Sequence, residues 1–261
     1  MRKNKTRLFI FMTAISLLAS CQKVIQLDLS TTAPQLVIQG NVYDEPGPYA
    51  VKISKTTNFD TPNIYPAVTN ARVTISDNAG KTEELSQVTD GTYVTSTLEG
   101  VVGRTYTLTV QIDGKTYTAR STMPQPVYID TIYYKKSVFS SIKLIALDFI
   151  NPPNKENYYQ VIHLVNGKQV AGFSVFSNNS GEVERISYSF MSTDTTPALV
   201  AGDKIVVWLE SIDKDVFKYF WTANRDGSRS ASPANPVSNI SNGALGYFNA
   251  CSVRKSSLIY H

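Results

Sequence analysis

Cys21 closes the stretch Leu18-Ala19-Ser20-Cys21 and is one of only two cysteines in the chain. Its thiol is the group whose surroundings most clearly prescribe a chemistry. Four basic residues, Arg2, Lys3, Lys5 and Arg7, precede an apolar run from Leu8 to Leu18 interrupted only by Thr13 and Ser16. A basic segment followed by a short apolar one is the pattern of a secretory signal, too short to cross a bilayer as a mature helix. Small residues leading into a cysteine resemble a bacterial lipobox. Ala19 and Ser20 let a peptidase reach the Ser20–Cys21 bond, and the Cys21 thiol is the nucleophile that accepts diacylglycerol. Cys21 is thus the expected lipidation site, and membrane lipid the first expected partner. Three acyl chains would anchor the protein stably, since each buried methylene adds about 0.8 kcal/mol.

The other reactive side chains form no catalytic set along the chain. With Cys21 acylated, Cys251 stands alone and no intrachain disulfide can form. In "GYFNACSVRKSSLIY" it reads as a packed, inert thiol on a strand. The two histidines are His163 and His261. His163 shares a strand face with Tyr159, Val161 and Val165, a structural position, and no G-x-S-x-G turn accompanies it. Neither a histidine pair nor a cysteine cluster offers zinc-site spacing. Asp44-Glu45 and Glu83-Glu84 are adjacent acids. Neighbours on an extended strand point to opposite faces, so neither pair makes a two-carboxylate acid–base site, and both pairs are expected to be solvated. Asp77-Asn78-Ala79-Gly80 lacks the later glutamate of a calcium loop and reads as a turn. No phosphate-cradling glycine loop is present. The expectation is a non-enzymatic protein with no catalytic residue, metal or cofactor. A hydrolase acting on polymers or glycans is the alternative, built from carboxylates on distant strands; a purely structural or adhesive module is another.

Charge removes one class of partner. The chain carries 25 Lys and Arg against 21 Asp and Glu, but the four basic residues of the signal account for the whole excess. The mature chain is balanced. A nucleic-acid binder needs surplus cations to displace counterions from phosphates, so nucleic acid is not an expected partner.

The elements that would position any site are mostly strands. "NARVTIS" and "RTYTLTVQI" alternate apolar and polar residues with period two, as half-buried antiparallel strands do. Asp113-Gly114 and Asn166-Gly167 are two-residue hairpin signals. About seven short strands between Gln35 and Ser121 suggest an immunoglobulin-like or transthyretin-like sandwich. "STMPQPVY" supplies a prolyl joint at Pro124 and Pro126. The expected fold class is mainly β, in the order 1–20 signal peptide, 21–33 lipidated cysteine and tether, 34–123 N-terminal sandwich, 127–261 second antiparallel β domain. That second domain carries one helix near 212–224, since Ile212, Val216, Tyr219 and Phe220 fall at helical spacing; Ser211 can cap it and Gly227 can stop it. Its aromatic face reads as core. The polar loop before the last strand (Ala244 to Ile259) is the candidate partner or ligand surface. Asn235, Pro236, Asn239 and Asn242 lie in it, with Tyr247 and Phe248 just beyond. The same loop could equally seal the domain.

Several longer stretches together resemble a known family. "LVIQGNVYDEPGPYAVKIS", "NARVTISDNAGK", "GRTYTLTVQIDGKTYTARSTMP", "NKENYYQV" and "NPVSNISNGALGYFNACSV" are similar, in content and order, to the family called domain of unknown function 4249. The resemblance implies an envelope lipoprotein of Bacteroidota, often associated with TonB-dependent outer-membrane receptors or their cargo. It brings no activity and no catalytic residue. Gln22 follows Cys21 where enteric inner-membrane lipoproteins carry aspartate, so the outer membrane is the expected address. The acidic residues typical of surface export in this phylum are missing from "CQKVIQLDL", which leaves the periplasmic and external faces both open. Asp130-Thr131-Ile132 and Asp194-Thr195-Thr196 resemble the phylum's O-glycosylation signal, making Thr131 and Thr195 candidate sites.

Overall fold

The alternating segments are strands in the computed structural model, which describes residues 33–57, 65–136, 143–153, 156–170, 172, 174–178, 182–190, 199–226 and 235–261. The first half forms β1 (Leu36–Tyr43), β2 (Ala50–Lys55), β3 (Arg72–Asp77), β4 (Thr82–Glu84), β5 (Ser86–Thr89), β6 (Thr92–Val94), β7 (Thr105–Ile112) and β8 (Lys115–Thr122). The second half adds β9 (Ile129–Lys136), β10 (Lys143–Asn151), β11 (Asn157–Val165), β12 (Lys168–Gln169), β13 (Ser174–Asn178), β14 (Glu184–Phe190) and β15 (Lys204–Ile212). Helix α1 (Lys214–Asp226) and the long strand β16 (Leu245–Ile259) complete it. The hairpin signals act as read. Asp113 and Gly114 take φ of 50° and 73°, and Asn166 and Gly167 take 50° and 79°, the paired positive values that match the strands' twist.

Two cores follow from the alternation. Ile38, Val51, Ile53, Tyr106 and Leu108 lie in the first, which runs on to Met123. It is enclosed by the sheet order β16-β1-β2-β6-β5 and by the four strands β4-β3-β7-β8. Val127, Leu147, Phe149, Tyr159, Ile205 and Leu209 form the second core, between β11-β15-β16 and the sheet β14-β10-β9. Each fully buried side chain of this size contributes about 1.5–3 kcal/mol. The prolyl joint at 124–126 thus falls between the cores in sequence. In space, β16 belongs to both. Its first half pairs in parallel with β1, Val37 opposite Leu245 through Tyr43 opposite Cys251. Its second half pairs antiparallel with β15, Ser211 opposite Ser252 through Lys204 opposite Ile259. Ile240, Ala244, Phe248 and Ala250 accordingly complete the first core. Pro34–His261 forms one compact unit.

A third cluster lies under α1, where Val216 and Phe220 meet Tyr158, Val175, Ile212 and Cys251. That covering explains why β16 is buried at every residue from Phe248 to Val253 instead of at alternate ones. Two local expectations are corrected here. Ser211 does not cap the helix, because it is still inside β15, opposite Tyr159 and Ser252. Asp213, the first residue free of the ladder, caps it instead: its Oδ1 accepts from Val216 N at 2.9 Å. Asp44 is not solvated either. Its side chain is 8% exposed, pairs with Arg254 at 2.7 Å and accepts from Val253 N at 2.7 Å. Glu45 pairs with Lys255, Glu84 with Arg72, and Glu83 accepts from Ser96 and Thr97, which hold its carboxyl down at about 2. Among the described residues no helix is long and apolar enough to cross a membrane.

Candidate functional site

A groove of about 440 Å³ runs between the outer edge of β8, the first turns of α1 and the segment 237–241. Sequence alternation sets its β8 wall. Ala119 and Ser121 point into the core and are buried, so Thr118 and Arg120 point out. On the helix, Asp215 and Lys218 stand one turn apart and line the facing wall. Asp213 clips the two walls together. Its Oδ2 accepts from Ser121 Oγ and from Thr122 N at 3.2 Å, and Ser121 Oγ in turn accepts from Ala250 N at 2.8 Å. Burial pushes the Asp213 carboxyl up, opposed by these hydrogen bonds. A smaller depression of about 280 Å³ continues past Arg120 to Thr105 and Lys214.

The third wall is the polar loop, and Asn239 and Asn242 in it are engaged internally. The Asn239 side chain bonds both backbone groups of Phe248, accepting from N at 2.9 Å and donating to O at 2.8 Å. It thereby substitutes for a neighbouring strand. Asn242, at φ 56°, donates to Thr116 O at 2.6 Å. Ser241 N donates to Thr118 O at 2.8 Å, and Thr118 N donates to Ser241 Oγ at 2.8 Å. Phe248 is fully buried in the first core. Tyr247 packs on Tyr219 and Phe220, with ring centroids 5.0 and 4.7 Å away. Asn235 is exposed and Pro236 half-buried, next to Val237, whose N donates to Thr222 Oγ1 on α1. Of the six loop candidates, only Asn239 lines the groove. The groove's other charged and hydroxyl groups, Thr118, Arg120, Asp215, Lys218, Ser238 and Ser241, carry no signal of spacing, because three separate elements supply them.

The remaining candidates lie elsewhere. Thr131 is exposed on β9, beside Asp130, which pairs with Arg185 at 3.0 Å. Ser20, Cys21 and Thr195 lie outside the described residues. His163 is half-buried on β11, and burial lowers its pKa. Among the described residues no group of three or more His, Cys, Asp or Glu side chains is placed to hold a metal ion.

A buried polar seam runs beneath α1. Cys251 is inaccessible, its thiol pushed up by burial and by neighbouring Glu210. Glu210 is 1% exposed, and burial raises its carboxyl to about 7 against opposing contributions from Cys251 and Lys255. Its Oε1 and the Oδ1 of Asn249 meet no protein donor. Without access from solvent, the seam bears on stability. The groove, in contrast, is open to solvent. It offers hydrogen-bond donors, two cations and one carboxylate, a set suited to recognising charge and backbone.

The family described as Domain of unknown function (DUF4249) matches residues 22–257. The chain belongs to the DUF4249 family. The matched region takes in every strand from β1 to β15, α1 and nearly all of β16, so the groove lies wholly within the DUF4249 domain. Comparison with curated proteins finds no match. Among solved structures, the chicken interferon gamma receptor alpha chain is similar at 8% identity, over 70% of this chain and 90% of that one, with a TM-score of 0.20. Nothing about the DUF4249 chain follows from a superposition of that quality.

Proposed function

We propose that this protein is a lipid-anchored component of the bacterial cell envelope, at the outer membrane, that binds a partner without catalysing a reaction. The observation that carries the reading is a coincidence of boundaries. The family match begins at residue 22, immediately after the cysteine of Leu18-Ala19-Ser20-Cys21. Cleavage before Cys21 would therefore leave the whole matched region attached to an acylated first residue. The β8–α1 groove supports binding as the task of the folded part, and the family resemblance points to a TonB-dependent receptor or its cargo as the partner.

The test is metabolic labelling with a fatty acid, followed by membrane fractionation. Wild type is expected to take up label and to sediment with outer membrane together with a receptor of that class. Cys21→Ser should take up none and remain as the uncleaved precursor, because a serine hydroxyl does not replace the thiolate as acyl acceptor. Normal labelling of Cys21→Ser would overturn the anchoring. Wild type that fractionates without any receptor would overturn the association.

A further inference from the structure

The walls of the β8–α1 groove are held in place, yet the charges on them are left over. Segment 238–241 is fixed along the outer edge of β8 by the Ala119–Ile240 bridge and by Ser241 N on Thr118 O at 2.8 Å. Asp213 holds the start of α1 to Ser121 and Thr122. Arg120 projects from β8 into this frame, and Asp215 and Lys218 project from α1. Nearby groups of the same kinds are used internally: Lys214 pairs with Glu156 at 3.4 Å and Arg104 with Asp77 at 2.6 Å. Among the described residues Arg120, Asp215 and Lys218 have no ion-pair partner. Asp215 and Lys218 do not pair with each other either, although residues one turn apart stand only about 5–6 Å apart at Cβ.

Charge and shape narrow the occupant. Two cations and one carboxylate call for a ligand with the opposite set, one cation and two anions. The planar fork of a guanidinium suits a carboxylate, and an ammonium such as that of Lys218 suits a second. A simple dicarboxylate would leave Asp215 against like charge, a polyamine would meet two cations, and a neutral sugar would leave all three charges unanswered. Ser238 Oγ accepts from Ile240 N at 3.1 Å, which leaves its O–H to donate to a ligand oxygen. Val237, 41% exposed, adds an apolar strip for an aliphatic stem. A groove of about 440 Å³ is larger than an inorganic ion needs and is in the range of small organic ligands.

We propose that the groove binds a small amphoteric acid, with its ammonium on Asp215 and its two carboxylates on Arg120 and Lys218. These are the groups of an acidic amino acid, or of a dipeptide that ends in one. This deepens the binding reading above and rests on it. Binding is reversible and no covalent bond changes.

Isothermal titration calorimetry tests it, using the full-length chain in detergent with glutamate and with the dipeptide Ala-Glu, which carry the same charged groups at two sizes. Saturable binding of at least one is expected, and the tighter of the two becomes the reference ligand. Acetylating its amine, or replacing its glutamate by glutamine, should each weaken binding about tenfold or more. Asp215→Asn should bring the reference ligand down to the level of its acetylated form without weakening that form. Arg120→Gln should weaken both. Both side chains are exposed, so circular dichroism should be unchanged in either variant, and the ligand changes probe the same contacts on the unaltered chain. Equal binding of the acetylated ligand, or of glutarate, would overturn the proposal. If neither glutamate nor Ala-Glu saturates while the acylated chain still fractionates with its receptor, the amphoteric ligand falls and the binding reading stands. If the receptor is missing as well, both fall.

Discussion

At the residue scale, the burial of Glu210 ties the stability of the fold to pH. A carboxylate without a close cation in a sheet interior favours its neutral form, because desolvation penalises the charge more than Lys255 and Cys251 relieve it. Its pKa rises on folding from 4.5 to about 7. The folded state therefore binds the proton more tightly, and the stability this gives is full below pH 4.5 and lost as pH rises to about 7. The loss amounts to about 3 kcal/mol. Urea unfolding at pH 5 and pH 8 should show wild type weakening by roughly that much relative to Glu210→Gln, with the variant the more stable at pH 8. His163, whose pKa is lowered by burial, works in the opposite sense below pH 6.5, but it is common to both chains and cancels in the difference. A difference that does not change between the two pH values would refute the role given to Glu210. Glu83, held near 2 by Ser96 and Thr97, acts only at lower pH and leaves this window undisturbed.

At the element scale, the decisive contact is the parallel docking of β16 on β1. Gly246 makes it possible. At φ 97° it sits in a conformation that side chains avoid, and an added Cβ would lie 1.9 Å from Ile38 O. Neither a rotamer change nor a flexible neighbour can relieve a clash with backbone, so Gly246→Ala should cost upward of about 3 kcal/mol by urea unfolding. Gly114→Ala is the control. Its φ of 73° carries similar strain, but nothing lies within 4 Å of the new methyl, and the expected cost is about 1 kcal/mol. Equal costs at the two positions would show that backbone strain alone matters and that β16 can shift on β1. The helix follows the same logic of attachment: Asp213 both caps α1 and holds β8, so one wall of the groove cannot move without the other.

At the scale of the whole molecule, one strand closes two sandwiches. Asn41 and Asn249, joined across β1 and β16, are 208 residues apart in sequence. Closing so long a loop must precede the contacts that reward it. Ending the chain at Ala244 would remove Phe248 and Ala250 from the first core and the β15 partner from the second. Such a chain should lose near-ultraviolet circular dichroism and be digested throughout by a protease under conditions where the full chain resists. Survival of a protected fragment covering 34–123 or 127–212 would mean that the cores stand alone and that β16 only decorates them.

Local chemistry made much of the fold legible in the sequence. Alternation along Tyr106, Leu108 and Val110, the Asp113-Gly114 and Asn166-Gly167 turns, and the helical spacing of Val216 and Phe220 all act within a few residues, where propensity and pattern decide. The expected helix at 212–224 and last strand at 244–259 differ from the observed bounds, Lys214–Asp226 and Leu245–Ile259, by a residue or two at most ends. The spacing around Cys21 is equally local, but it lies outside the described residues. Tertiary structure alone decided which distant groups meet. Asp44 looks solvated in the sequence because its partner, Arg254, comes from the other end of the chain. Asn239 stands in the sequence only as one residue of a candidate ligand loop, because the Phe248 backbone it satisfies is left bare only once β16 has chosen β1. The groove has the same origin. Arg120, Lys218 and Ser238 are unremarkable surface residues until β8, α1 and the loop are brought together, and that juxtaposition depends on competition among all the strands for partners, which no short stretch of sequence encodes.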